Sequence, residues 1–212
     1  MTSGRSRCST LKLLTKILTY RLQQVSLQLI HRYQYGFIRS RTIQDCLAWC
    51  FEFIHQCHQS RREIVILKLD FEKAFDTVEH NTILSVMQHM GFLDTWIHWI
   101  RLIFSSGTSA VLLNGVPVKK FCCKRGVRQG DPLSPLLFVL AADLLQAIIN
   151  KAASLGLLRR PAPQPGEEFP IIQYVDNTLL ILEADAMQLF FLKGILQSFS
   201  QPTGLKVNCR KS

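Results

Sequence analysis

The sequence predicts an α+β fold, a mostly antiparallel sheet backed by helices. Three observations predict it. The β-branched apolar run Ile64-Val65-Ile66-Leu67-Lys68-Leu69 interrupts a helical hydrophobic period and reads as a buried strand that delivers Asp70 at its end. Two pairs of short apolar runs, Ser109–Leu113 with Val116–Cys122 and Ile171–Tyr174 with Thr178–Leu182, each enclose turn residues. Between them lie segments whose apolar residues recur at three and four. With 212 residues, 48% hydrophobic and 19% charged, the chain can bury one core, or a core plus a smaller lobe. That composition excludes a collagen-like, low-complexity or disordered chain.

Leu11, Leu14, Ile17, Leu18, Leu22 and Val25 form the apolar stripe of a first helix, with Lys12, Lys16 and Arg21 off the stripe. A second helix spans about Thr42 to Gln59. Its Cys46, Cys50, Phe53 and Cys57 fall on one face, and their spacing, even with His55 and His58 nearby, fits no zinc pattern. After the strand, Asn81 to Met90 is helical and stops at Gly91, and Asp94 caps a helix through Phe104. Asn114-Gly115 is a hairpin turn. Ser134-Pro135 is an N-cap and first-turn pair that opens a helix to about Ala153. Pro161 to Glu168 is a surface loop. Val175-Asp176-Asn177 bends the second hairpin, giving it an acidic tip, and Met187 to Phe199 is the last helix.

Charge is unevenly placed. The formal net charge is +10, yet residues 1–62 hold ten basic residues against only Asp45 and Glu52. A basic, mostly helical segment 1–62 therefore precedes a near-neutral segment 63–212. Such a lobe points to a polyanion, most often nucleic acid, or to a solvated basic face. The first 44 residues lack any acid, as organelle transit peptides do, but they run unbroken into a core helix. The longest apolar stretch, Pro132 to Asn150, carries Asp143. No charge-free run reaches the ~18 residues of a membrane span, so no membrane partner is expected. Seven cysteines without a signal peptide imply reduced thiols.

Asp70 ends a strand and Asp176 sits in a bend. Carboxylates converging at strand ends suit hard divalent cations, and two such ions about 3.5–4 Å apart can drive phosphoryl transfer. Aspartates in such places also serve turns alone. On the residues themselves both readings stay open.

The flanking residues carry a resemblance. Lys68-Leu69-Asp70-Phe71-Glu72-Lys73-Ala74-Phe75-Asp76 resembles motif A of reverse transcriptases, and the run from Gly126-Val127-Arg128-Gln129-Gly130 through Pro135 to Phe138 resembles motif B. Tyr174-Val175-Asp176-Asn177 resembles the Y-x-D-D box of motif C. Phe199 through Gly204-Leu205-Lys206 to Lys211-Ser212 is similar to motif D. Upstream, Lys16 to Leu22, and Gln34 to Phe37 with Arg41 and Asp45, resemble fingers motifs of non-LTR (LINE-type) retrotransposon enzymes, with a plant flavour.

The resemblance implies a right-hand polymerase palm over 63–212 with partial fingers over 1–62, copying an RNA template onto a DNA primer from dNTPs. It implies two Mg²⁺ ions, for which Mn²⁺ can substitute. Asp70 and Asp176 would be the metal ligands, with the Phe71 carbonyl near one ion. Phe75 would lie beneath the incoming sugar and leave no room for a 2′-hydroxyl. Gln129 and Gly130 would form the nucleotide pocket, and Arg41 would reach the triphosphate. Lys73 and Asp76 match family positions as structural residues, and Lys206 or Lys211 is a candidate proton donor. The family acts at chromosomal DNA, so the nucleus is the implied setting, although no basic import cluster is evident.

Three features depart from the family. Motif C ends in Asn177 where the family has a second aspartate, which removes one negative charge from the cation site while suiting the bend. The upstream Arg-Pro-Ile block is not legible in Met1 to Thr10. The resemblance sets motif D at the end of the sequence, so a truncated element without thumb, endonuclease or RNase H segment is expected. The expectation is an RNA-directed DNA polymerase domain impaired by Asn177 and truncation. The alternative is a non-catalytic relic that binds nucleic acid through phosphates. A third class, an RNA-copying RNA polymerase, fits motif B less well.

Overall fold

The computed structural model describes residues 3–208 except 111, 115, 118, 120, 162–168 and 170. At its centre is an antiparallel sheet of β1 (Ile64–Asp70), β7 (Asn177–Glu183) and β6 (Ile171–Tyr174), in the order β1-β7-β6. The register sets Asp70 opposite Asn177, Leu69 opposite Thr178 and Leu67 opposite Leu180. Side chains alternate between faces, so Leu67 and Leu69 share one face with Leu180 and Leu182, whereas Ile66, Lys68 and Asp70 share the other with Asn177 and Ile181. The first face packs on α6 (Ser134–Ser154) and α7 (Ala186–Thr203) in a buried cluster that includes Leu145, Leu192 and Phe199. On the second face, Phe53 and Cys57 of α2 (Ile43–Gln59) cover Ile172 and Ile181. Ile66 and Lys68 stay exposed, so this face is open toward Asp70.

The expected buried strand is thus an edge strand. Ile66 is 44% exposed, and the strand flanked on both sides is β7. A continuous apolar run cannot distinguish the two, because neighbour order is set by a hairpin more than a hundred residues away. Among the described residues, the outer edge of β1 is bordered where residues 206–208 return: Glu72 N–H donates to the Lys206 carbonyl (2.8 Å) and Asn208 N–H to the Asp70 carbonyl (2.7 Å).

Among the described elements, helix α6 contributes the largest share of the core. It is long and apolar enough to cross a membrane by length and composition, but 67% of its most apolar window is buried inside the fold. Asp143, at its centre and 2% exposed, is satisfied by His31, whose Nδ1 lies 2.8 Å from a carboxylate oxygen and whose backbone N–H also donates to it. The expected Ser134 N-cap is displaced by one residue. Leu133 is the cap, Ser134 is the first helical residue, and Asp131 accepts the Leu133 N–H (2.9 Å). The same shift occurs at α5 (Asp94–Ser105): Leu93 is the cap, and Asp94 acts from the first turn on the positive end of the helix dipole. In α2, Thr42 and Asp45 form a reciprocal capping box.

The remaining elements follow. α1 covers Ser3–Leu29, longer than its apolar stripe. Leu18 and Leu22 join the main cluster with Ile30 and Ile38, but Leu14, Ile17 and Val25 remain exposed along the groove between α1 and α5. A single turn, α3 (Ala74–Thr77), follows a left-handed Lys73 and has no periodic signal in sequence. α4 (His80–His89) ends before Gly91 as expected. Short strands β2 (Thr108–Ser109) and β5 (Phe121–Cys122) pair, as do β3 (Leu112–Leu113) and β4 (Val116–Pro117) across Asn114. Gly115 lies outside the described residues, as does the loop from 162 to 168. α7 begins at an Asp185 cap and extends past the expected Phe199 to Thr203.

The cysteine face of α2 is core, not metal site. Burial, with Cys50 beside it, pushes the Cys46 thiol from an ordinary 9.0 up to about 11. At pH 8 its thiolate fraction is about one in a thousand. Iodoacetamide is therefore expected to modify Cys46 at least ~100-fold more slowly than exposed Cys122, measured by peptide mass spectrometry. The folded pKa is the higher one, so the contribution of this thiol to stability is complete below pH 9 and is lost as pH rises toward 11.

Candidate active site

Two elements meet at one end of the central sheet. β1 ends in Asp70, and the hairpin of β6 and β7 turns through Val175 and Asp176. Asn177 belongs to β7 itself, pairing with Tyr174 on one side and Asp70 on the other. Directly opposed residues have Cβ atoms ~4.5–5.5 Å apart. Asp176 is one residue, ~3.8 Å of chain, from that pair. The early and late aspartates therefore share one end of the sheet, beside its open face. Both are partly exposed, and Asn177 Nδ2 donates to Asp176 Oδ1 at 3.3 Å. The buried ring of Phe71 packs 6.0 Å from that of Phe199, which anchors the backbone just after Asp70.

The donors at this corner are oxygens: two carboxylates, the Asn177 amide and the adjacent backbone. That set fits Mg²⁺, which takes one or two carboxylates and completes its shell with water and substrate phosphates. Among the described residues, no group of three or more His, Cys, Asp or Glu side chains is placed to hold a metal ion. Asn177 stands where a third carboxylate would complete such a group.

A second cluster forms alongside. Val127 N–H donates to the Phe75 carbonyl (2.7 Å) and Gly126 N–H to the Val78 carbonyl (2.8 Å), tying the glycine-containing loop 126–130 to α3. As a result Phe75, Gln129 and Gly130 line one cavity of about 210 Å³, with Arg128, Asp131, Ser134 and Pro135. The ring of Phe75 is stacked on Phe138 at 4.6 Å, so its orientation is fixed by the core. Gln129 Nε2 donates to Asp76 Oδ1 at 3.3 Å. A larger cavity of about 520 Å³ adjoins, sharing Arg128, Gln129 and Ser134 and extending to His80 and Arg125. His80 is held flat on Phe104 (4.0 Å between ring centres) and bonded to the Gly126 carbonyl.

Arg41 does not line either cavity. Its guanidinium donates to the carbonyls of His31 (2.6 Å), Gln34 (2.7 Å) and Ile30 (3.1 Å). Burial lowers its pKa, with Asp143 opposing that shift. Lys206 has an exposed side chain on the strand-like return beside Phe71, and Lys211 lies outside the described residues. Sequence reasoning missed the role of residues 33–35. Gln34 forms a parallel bridge with Gln173 and so adds a short fourth member to the sheet beside β6. Three residues without alternation give no strand signal.

The family model described as reverse transcriptase (RNA-dependent DNA polymerase) matches residues 3–212. A Pol polyprotein from the type-1 retrotransposable element R2 of Popillia japonica is 30% identical over 203 residues, covering 95% of this chain and 27% of that protein. An uncharacterized 149 kDa protein of transposon TX1 from Xenopus laevis is 26% identical, covering 95% of this chain and 15% of that protein. The chain thus spans about a quarter or less of these relatives. Among solved structures, telomerase from Candida albicans superposes with a TM-score of 0.64 at 13% identity, over 95% of this chain and 35% of that one. This likeness shows the reverse-transcriptase palm fold.

Proposed function

The chain belongs to the reverse transcriptase family, and from that premise we propose that it is the palm, with part of the fingers, of a non-LTR retrotransposon polymerase that copies RNA into DNA, with chemistry weakened by Asn177. The observation that carries this reading is the register of β1 on β7, which puts Asp70, Asp176 and Asn177 at one corner of the open sheet face. Asp70 and Asp176, with the Phe71 carbonyl, would hold Mg²⁺ or Mn²⁺. When bound, such ions activate the attacking primer oxygen and stabilise the leaving pyrophosphate.

The chain's own residues do the rest. Phe75, braced by Phe138, presents a fixed ring that excludes a 2′-hydroxyl from the sugar position. Gln129, braced by Asp76, supplies amide hydrogen bonds to the incoming dNTP, and Gly130 lets the backbone approach it. Arg41, which bonds three carbonyls and lines neither cavity, serves by fixing the 30–34 turn in place of the triphosphate contact that the resemblance implies. The basic segment 1–62, read as fingers, offers charge to the RNA template and DNA primer, while 63–212 forms the palm.

A second reading is favoured by one observation: with two carboxylates at the corner among the described residues, the fold can survive as a non-catalytic binder of RNA. Primer extension on an RNA template with Mg²⁺ or Mn²⁺ decides. Extension by the chain that disappears in Asp70→Ala supports the polymerase. No extension, with filter binding of RNA that weakens steeply as salt rises from 50 to 200 mM, supports the binder.

A further inference from the structure

We propose that Gln34 is a positioning residue for the acidic turn: its buried amide oxygen holds Val175, and thereby sets where Asp176 presents its carboxylate. The proposal rests on the metal-binding reading of Asp70 and Asp176 given above.

Val175 adopts φ +61. For a β-branched residue this left-handed conformation is an outlier that persists only where its surroundings over-determine it. Residues 33–36 supply that restraint. Tyr35 N–H donates to the Gln173 carbonyl (2.8 Å) and Gln173 N–H to the Tyr33 carbonyl (2.9 Å), which seats the segment along β6. Gly36 then lies so close that a Cβ there would sit 2.5 Å from the Val175 nitrogen, a backbone contact no rotamer can relieve. Between them, the fully buried Gln34 turns its Oε1 to two backbone donors, Gly36 N–H (2.9 Å) and Val175 N–H (3.3 Å). The second of these belongs to the strained residue immediately before Asp176.

The other end of the restraint is anchored. Arg41 donates to the Gln34 carbonyl and to the His31 carbonyl, and His31 is paired with the buried Asp143 of α6. A contiguous set of bonds therefore runs from the core helix to the turn. Gln34 Nε2 is buried with no partner among the described residues. A side chain selected only for packing would be apolar here, since an unmet buried donor is destabilising. The oxygen is what the position requires.

Two substitutions separate this from simple packing. Gln34→Met keeps the length and removes the acceptor, whereas Gln34→Glu keeps the acceptor and exchanges the stranded donor for a second acceptor oxygen. In the metal-free chain, Gln34→Met is expected to speed amide exchange at Val175 at least fivefold while Leu140 in α6 keeps its protection. Gln34→Glu is expected to hold exchange at Val175 below that change. Mn²⁺ affinity, read by electron paramagnetic resonance, is expected to fall at least fivefold in Gln34→Met. A smaller change at Val175 in Gln34→Met, or equal acceleration in Gln34→Glu, overturns the proposal. If Asp176→Ala abolishes Mn²⁺ binding but Gln34→Met leaves it intact, the positioning role alone fails. If Asp176→Ala also leaves Mn²⁺ affinity unchanged, the metal site itself is wrong and the proposal falls with it.

Discussion

Asn177→Asp is expected to raise the rate of primer extension on an RNA template by about 10²–10³, the scale on which charge stabilisation at a reaction centre is lost or gained. The position earns this expectation twice over. It lies directly opposite Asp70 and next to Asp176, so an aspartate there supplies the third carboxylate of the corner. The present amide also donates to Asp176 Oδ1 and occupies a lone pair that a cation would otherwise use. The backbone accepts the change, because residue 177 is an exposed, regular member of β7. A signature in stability accompanies the gain. Without metal, three adjacent carboxylates repel, and cross-strand like charges cost ~0.2–1 kcal/mol, so thermal denaturation is expected slightly lower than for the parent. With Mn²⁺ the order reverses, since a ligand that binds only the folded state stabilises it. Equal extension rates for the two chains would show that residue 177 does not limit the chemistry.

Gly204→Ala is expected to lower the melting temperature by about 5–15 °C, the range that ~2–4 kcal/mol produces in a domain of this size. Gly204 closes α7 at φ +73, a left-handed conformation that a Cβ disfavours. The added carbon would also run into the Thr77 carbonyl oxygen, with the carbonyl carbon at 3.2 Å. That neighbour is backbone, so relief requires moving α3 or the end of α7. The contact is tightly framed: Glu79 N–H donates to the Thr203 carbonyl and Glu72 N–H to the Lys206 carbonyl, one on either side. The second bond lies two residues from Asp70, and the damaged variant is expected to lose Mn²⁺ affinity along with stability. Differential scanning calorimetry checks the first effect. A drop below about 2 °C would show that the junction relaxes freely.

Local chemistry explains what was legible. The hairpin of β6 and β7 is announced by short apolar runs around polar turn residues, and Asp70 by the end of an apolar run. Those signals need no tertiary partner. The pairing of Asp70 with Asn177 had no local signal and came with the family motifs. So did the convergence of Phe75 with Gln129 and Gly130, which the structure achieves through the Val127 to Phe75 backbone bond. Caps at Leu93 and Leu133 were misplaced by one residue because the neighbouring Asp94 and Ser134 have the chemistry of caps but not the backbone conformation. The contacts that Arg41 and Gln34 make had no signal for a different reason. Their partners are main-chain atoms, which leave no trace in side-chain pattern.

The strand order has a consequence during synthesis. β1 leaves the ribosome with no neighbour to pair with, because β7 follows only after more than a hundred further residues. At ~5–20 residues per second, that delay is about 5–20 s. Throughout it, Ile64 to Leu69 is an apolar ribbon, interrupted by Lys68, that is open to chaperones or to another nascent copy.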